Sequence, residues 1–335
     1  MNKLLAFFKI IRPVNLAIIA LTMYAIRFLI IKPYLAIDGN MILELQLSHL
    51  DFFLLVLSVI LIAAGGNVIN DANDINTDRI NNPKKLEYVT LFSQNALSTI
   101  HIILNIIGIG LGIYLANEIG VIQLMGIHIF ASASLWFYST NFKQGFLSGN
   151  LIIALLAALV PMTVALFEIP PVIDQYGNLM VNHFQSRGKE YGYLAELFFY
   201  IPLYWSFGFG LFAFLTTLSR EIQKDMADIE GDKLVDYTTL PIRWGIQKSK
   251  RFVLAINALT IAALFYFQVN YLSDRGTFVY FLVISIFILL NTFHLWKSEE
   301  RKDFVRAGTI MKLTMLIGIS YSLYVYYMFT GFDIQ

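Results

Sequence analysis

The 335-residue chain contains no cysteine, which excludes disulfides, thiolate zinc sites and a cysteine nucleophile. It is also poor in charge. Asp, Glu, Lys and Arg make up 14% of it, against about 25% in a soluble domain. The five histidines, at positions 49, 101, 128, 183 and 294, show no metal-ligand spacing and read as structural. No phosphate-cradling glycine loop, nucleophile elbow or His-Glu-x-x-His stretch is present. A net charge of +1 gives no bias toward anionic partners. Together these absences exclude a water-soluble globular enzyme, a nucleic-acid binder with a basic face, and a disordered tail.

What fills the chain is apolar. Hydrophobic residues reach 57% and the mean hydropathy is +0.65. A membrane crossing takes about 20 apolar residues, so most of the chain is committed to spans. Apolar runs predict nine transmembrane helices near 14–31, 50–69, 95–115, 120–138, 147–167, 197–219, 251–270, 277–295 and 307–329. The fold class is therefore all-α, a polytopic helical bundle forming one transmembrane domain over 1–335. The longest connection, 168–196, carries Pro170-Pro171 and Gly177-Asn178 and reads as an outer-side loop or structured cap without catalytic groups. The first run is long, follows Arg12-Pro13 and has no small-residue cleavage pattern, so it reads as a span and not a cleaved signal.

Lys and Arg are distributed unevenly among the loops. All but Arg27, Lys32, Arg187, Lys189 and Arg275 fall at the N-terminus or on even-numbered connections. The positive-inside rule then places the N-terminus in the cytoplasm and the C-terminus outside. The expected location is the cell (inner) membrane.

Two acidic clusters interrupt this pattern on the cytoplasmic side. The second span ends in residues 65–83, where Asp71, Asp74 and Asp78 stand at i, i+3 and i+7, a spacing that puts three carboxylates on one helical face. The sixth span leads into residues 220–233, where Asp225, Asp228 and Asp232 repeat that spacing. Like charges on one face repel, and near lipid each costs desolvation energy. Arg79, Arg220, Lys224 and Lys233 supply some compensating charge. A divalent cation would supply more, and an all-oxygen donor set suits Mg²⁺ or Ca²⁺. Since Mg²⁺ takes one or two carboxylates and leaves positions for phosphate oxygens, two facing clusters would hold Mg²⁺ ions around a diphosphate. The plainer reading, two solvated acidic loops, does not account for the repeated spacing.

These residues bear a resemblance. Asn70-Asp71-x-x-Asp74-x-x-x-Asp78 and Lys224-Asp225-x-x-Asp228-x-x-x-Asp232 resemble the two aspartate motifs of the UbiA superfamily of intramembrane prenyltransferases. Arg12-Pro13-x-Asn15, and Tyr138-Ser139 with Lys143 and Gly149-Asn150, look like that family's opening and middle motifs. The resemblance covers most of the chain. It implies that Asn70, Asp71, Asp74, Asp78, Asp225, Asp228 and Asp232 bind Mg²⁺ and that Asp74, Asp78, Asp228 and Asp232 carry the catalytic charge stabilisation. It further implies that Asn70, Arg79, Lys143 and Lys224 hold the diphosphate of a prenyl donor, and that Tyr138 faces the allylic cation. Lys248, Lys250 and Arg251 read as positive-inside anchors. Gly65-Gly66 permits close helix approach or a bend beside a ligand.

The second motif, with Arg220-Glu221 and Glu230-Gly231-Asp232, looks most like the branch of digeranylgeranylglyceryl phosphate synthases. That implies a geranylgeranyl diphosphate donor and geranylgeranylglyceryl phosphate as the lipophilic acceptor. Arg12, Lys84 and Lys85 are surplus cations for the acceptor phosphate. Asn82-Pro83-Lys84-Lys85-Leu86 replaces the Arg-Pro pair common in quinone-pathway members. Aromatic acceptors, namely naphthoate, benzoate or homogentisate, are the alternative. Of another class, a cation-coupled transporter would also use membrane acids, but usually near the bilayer midplane, whereas these sit at one face.

Overall fold

A chain this apolar has to satisfy its backbone hydrogen bonds within each segment, and it does so with helices. The computed structural model describes residues 2–36, 43–186, 188 and 192–331, and among these there is no strand. A short helix opens the chain, α1 (Lys3–Ile11), and after Arg12 in the left-handed conformation comes the longer α2 (Pro13–Leu35), which starts on Pro13 and loosens into a π-helical turn at Ile26–Ile31. The order continues α3 (His49–Asn73), α4 (Ile75–Asn81), α5 (Pro83–Val89), α6 (Gln94–Glu118), α7 (Met125–Thr140), α8 (Ser148–Gln185), α9 (Leu194–Leu234), α10 (Leu240–Tyr271), α11 (Arg275–Lys297) and α12 (Arg301–Thr330). Several starts are capped by side chains that accept from otherwise unpaired amides: Ser48 for α3, Ser93 for α6 and Asp274 for α11.

Among the described residues, eight helices are long and apolar enough to cross a membrane: α2, α3, α6, α8, α9, α10, α11 and α12. The expected fourth span corresponds to α7, whose 16 residues follow a 3₁₀ turn at Ile122–Leu124. At 1.5 Å per residue α7 alone covers about 24 Å, short of a hydrocarbon core of about 30 Å. The nine-span count is thus approximate, with eight clear spans and one short one.

The 168–196 segment departs from expectation. It is no loop for most of its described length, because α8 runs without interruption to Gln185 and α9 begins at Leu194. Pro170, Pro171 and Gly177 all lie inside α8. Prolines are tolerated in a membrane helix when neighbouring helices re-satisfy the freed carbonyls. Glu168, which looked like the end of a span, is fully buried and pairs with the equally buried Arg27 of α2 (Nε to Oε1, 2.6 Å). A charge that ends a span in the sequence is here neutralised within the bundle.

The helices that carry the acidic motifs are anchored by polar and small-residue contacts. Gly65 and Gly66 serve packing: a Cβ at Gly66 would strike Leu135 of α7, and one at Gly65 would strike Asn105 of α6. On α9, Ser219 donates to Asn257 of α10 (2.8 Å). Gln223 donates to Asn291 of α11 (3.2 Å), and Asn291 donates to the Ala307 carbonyl of α12 (2.7 Å). Paired polar groups between membrane helices fix their register, and this set fixes α9 immediately before Asp225. Lys250 is likewise structural. It is buried, its ammonium donates to the carbonyls of Trp296 (3.0 Å) and Ser298 (2.6 Å), and it terminates α11 where a surface anchor had been expected.

Candidate active site

The first acidic motif does not occupy one continuous helical face. α3 ends at Asn73, and Asp74 has left helical geometry (φ −86°, ψ 2°) before α4 begins. The break sends the three carboxylates to different partners. Asp71, almost wholly buried, accepts from Arg12 (2.6 Å) and lies 2.8 Å from the Lys85 ammonium. Lys85 also donates to Asp78 (2.6 Å). Asp74 pairs with Lys143 and accepts from Asn70 (2.7 Å). Arg12 is held in turn by Asn67 (3.2 Å), which donates to the Ile11 carbonyl (3.0 Å). Arg12 and Lys85, expected as surplus cations, therefore serve Asp71 and Asp78, while Lys84 is exposed.

The second motif lies on an unbroken stretch of α9, so its i, i+3, i+7 geometry holds. Asp225 accepts from Asn150 (2.8 Å) and Asp228 from Arg301 at the start of α12 (3.3 Å). Glu221, one turn before Asp225, takes Arg220 (2.7 Å) and Lys224 (3.4 Å).

The middle motif joins the two. Lys143 lies in a 3₁₀ turn after α7 and reaches the first motif, while Asn150, at the start of α8, reaches the second. Thr238, just beyond the second motif, donates through both its amide (2.9 Å) and its hydroxyl (3.0 Å) to the carbonyl of Gln144. Tyr138 is buried beside Gly149.

Electrostatics bear out this convergence. Burial raises the Asp74 carboxyl, but Lys143, Lys85 and Lys224 outweigh it and hold the group below the ordinary carboxylate range. For Asp78, burial prevails over Lys85 and leaves the carboxyl raised. Lys143 would be lowered by burial, yet the charges of Asp74 and the Tyr138 side chain keep its pKa above the usual value. Tyr237, between α9 and α10, is pushed up to about 12 by burial and by the charges of Asp74, Asp232 and Asp78. Its side chain is within electrostatic reach of both clusters.

Arg79, expected at the diphosphate, is exposed and forms no ion pair among the described residues, and Lys233 is exposed as well. Trp136 and Phe137 are also exposed, as lipid-facing rings would be. Sequence reading gave no role to Arg301, Asn81 or Tyr237. Arg301 lies 73 residues from its partner, and no local pattern marks it. Asn81 carried a signal, since it stands three residues after Asp78 on α4, one helical neighbour away.

The donors are oxygens throughout, as a hard divalent cation requires. Asn70 Oδ1 is buried without a hydrogen-bond partner, an orphaned oxygen beside Asp74 that a cation would satisfy. Among the described residues no three carboxylates gather closely enough to cage an ion unaided, and those of the first motif are paired with Lys85 and Lys143. The donor set thus fits Mg²⁺, which needs few protein carboxylates and shares its shell with phosphate and water.

Residues 39–316 match the UbiA prenyltransferase family. A digeranylgeranylglyceryl phosphate synthase of Saccharolobus solfataricus is 32% identical over 77% of this chain and 79% of its own length. In fold, the chain is similar to a solved structure described as digeranylgeranylglyceryl phosphate synthase in membranes, with TM-score 0.60, 22% identity, and coverage of 97% of this chain and 99% of that one. It is also similar to a UbiA homologue from Archaeoglobus fulgidus bound to GPP and Mg²⁺, with TM-score 0.53, 17% identity, and coverage of 95% and 99%.

Proposed function

The chain belongs to the UbiA prenyltransferase family, and from that premise we propose that it moves a geranylgeranyl group from its diphosphate to geranylgeranylglyceryl phosphate, with Mg²⁺, within the bilayer. It is a multi-pass integral membrane protein. The reading places it in the cell membrane with the N-terminus and the acidic site cytoplasmic and the C-terminus outside. One observation carries the catalytic part: the middle motif reaches both acidic clusters at once, Lys143 to Asp74 and Asn150 to Asp225.

The chemistry to be assisted is loss of diphosphate from an allylic carbon. Asn70, Asp74, Asp78, Asp228 and Asp232 would hold Mg²⁺, which neutralises charge growing on the leaving diphosphate. Lys143 and Lys224 donate to phosphate oxygens that the metal leaves open. Tyr138, buried beside Gly149, would offer its ring to the allylic group, and an aromatic face stabilises a desolvated cation by about 0.5–2 kcal/mol. Asp225, oriented by Asn150, completes the second cluster, and Asp71 holds Arg12 and Lys85 in place. The apolar interior excludes water, which would otherwise capture the cation. For the acceptor, the reading is supported by the names of the curated relatives, which are digeranylgeranylglyceryl phosphate synthases.

The test is turnover by purified protein with labelled geranylgeranyl diphosphate. Geranylgeranylglyceryl phosphate should be alkylated in preference to naphthoate, benzoate or homogentisate, and a strong chelator should abolish the reaction. Turnover of an aromatic acid alone would overturn the acceptor assignment. Full turnover in chelator would overturn the metal.

A further inference from the structure

The two motifs approach each other through a residue that is in neither. Asn81 closes α4, three residues after Asp78, and its carboxamide is buried against α9 within the second motif. Its Nδ2 donates to the Asp228 carbonyl (3.0 Å) and its Oδ1 accepts from the Gly231 amide (3.1 Å). Both contacts are to backbone, so they locate the axis of α9 and not a mobile side chain. They also bracket the turn that presents Asp228 and Asp232. Gly231 is the complementary half of the contact. It is buried, and a Cβ built there would collide with the Asn81 carboxamide itself.

We propose that Asn81 is the positioning residue that sets the separation of the two acidic clusters, with Gly231 as the socket that admits it. The geometry has a direct physical basis. A metal–diphosphate assembly held from both sides tolerates little error in the span between donors. A misplacement of about 1 Å can cost roughly a hundredfold in rate, and partners one shell beyond metal ligands typically tune affinity by about 10- to 100-fold. α4 is a seven-residue helix between two breaks, at Asp74 and Asn82 (φ −150°, ψ 66°), so its own backbone does not fix where Asp78 points. A bidentate amide does. Asn81 touches neither substrate nor metal in this assignment. It acts through Asp78 on one side and Asp228 and Asp232 on the other.

The assignment rests on the functional reading above only for what the clusters bind, and two measurements keep the failures apart. The chain has no native cysteine, so spin labels at Asn76→Cys and Leu234→Cys, both exposed positions, report the distance between α4 and the end of α9 without any ligand. Titration with Mg²⁺ and inorganic pyrophosphate, followed by thermal shift, reports the assembly of the site. Asn81→Ala should broaden or displace the distance distribution and raise the half-saturating Mg²⁺ by about 10- to 100-fold. Gly231→Ala should do the same by pushing Asn81 out. The double variant should be no worse than the poorer single one, because the collision disappears with the carboxamide. Asn81→Asp keeps the shape and one acceptor but loses the donor. Because it sets a carboxylate oxygen against the Asp228 carbonyl and adds a charge that itself draws Mg²⁺, it is read by the distance distribution, which should be displaced as in the alanine variant, and it serves if that variant does not insert. An unchanged distance in either Asn81 variant, or unchanged half-saturation in Asn81→Ala, with thermal stability alone reduced, would make Asn81 a packing residue and overturn the proposal. If the unsubstituted protein shows no Mg²⁺–pyrophosphate shift at all, the functional reading fails while the distance measurement still decides the clamp.

Discussion

Whether the two acidic clusters work as one site is decided by removing one carboxylate from each. In Asp74→Asn the side chain keeps its shape and still meets Asn70, but the partly buried Lys143 ammonium loses its counter-ion. Removing one partner of a fully buried pair costs about 3–5 kcal/mol. Lys143 retains some exposure and lies in the field of Asp232, so the loss should sit nearer the 1–3 kcal/mol of an unsatisfied polar group. The protein should still insert. Asp228→Asn is milder, since its partner Arg301 is half exposed and exposed pairs contribute about 0–1 kcal/mol.

The effect on turnover should be far larger. Losing one preorganised charge stabiliser typically costs about 10²–10³ in rate, or about 2.7–4 kcal/mol. If the clusters acted independently, the double variant would lose the product, about 10⁴–10⁶. If both grip one diphosphate, the first loss already disables the assembly, and residues acting as a unit are strongly non-additive. The double variant should then fall within about tenfold of the worse single one. Consumption of geranylgeranyl diphosphate under saturating Mg²⁺, with insertion checked by gel filtration in detergent, measures this. A multiplicative double variant, or near-normal turnover in either single one, would refute the shared grip.

Two further outcomes concern the membrane. A reporter fused after the last residue should appear outside the cytoplasm and one inserted at Lys84 inside; a cytoplasmic C-terminus would break the orientation drawn from the loop charges. Glu168→Leu should lower stability in detergent unfolding by about 3–5 kcal/mol, because it strands the Arg27 charge, whereas Arg27→Leu with Glu168→Leu should recover most of that loss; equal losses in both would show that the pair is not coupled.

Some parts of this molecule were legible from sequence and others were not, for identifiable reasons. Spans could be read because a run of apolar residues in lipid has helix as its main solution. The 168–196 error arose where that rule meets a charge: Glu168, Pro170-Pro171 and Gly177 all signal an exit into water, and only the distant Arg27 reverses the signal. The second motif was legible as geometry because α9 continues through it. The first was legible as chemistry but not as geometry, since no local pattern marks the break at Asp74, whose carboxylate meets Asn70 and the distant Lys143. Arg301 and Asn81 are partners brought by tertiary folding over 73 and 147 residues, distances over which periodicity carries no information.

The charge arrangement implies that metal and diphosphate bind as a coupled pair. Each first-motif carboxylate already has a cation: Asp71 has Arg12 and Lys85, Asp78 has Lys85, and Asp74 has Lys143. Mg²⁺ arriving alone must evict Lys143 from Asp74 and leave that ammonium buried beside a dication. Diphosphate arriving alone meets Asp225 and Asp232, which form no ion pair among the described residues. Arriving together they would exchange partners: Asp74 would release Lys143 and help hold the metal, and Lys143 would be free to meet a phosphate oxygen, so that no buried charge is left single. Mg²⁺ and inorganic pyrophosphate should therefore bind with positive coupling, of the 1–3 kcal/mol usual between linked sites, or about 5- to 150-fold in affinity, and reciprocally. Lys143→Met separates the two halves of the exchange. It removes the cation that competes for Asp74 and the one that receives phosphate, so Mg²⁺ alone should bind more tightly while the coupling shrinks. Calorimetric titration of each ligand in the presence and absence of the other reads both quantities without turnover. Weaker binding of Mg²⁺ alone to Lys143→Met, or coupling equal to that of the unsubstituted protein, would show that Lys143 does not trade one charge for the other.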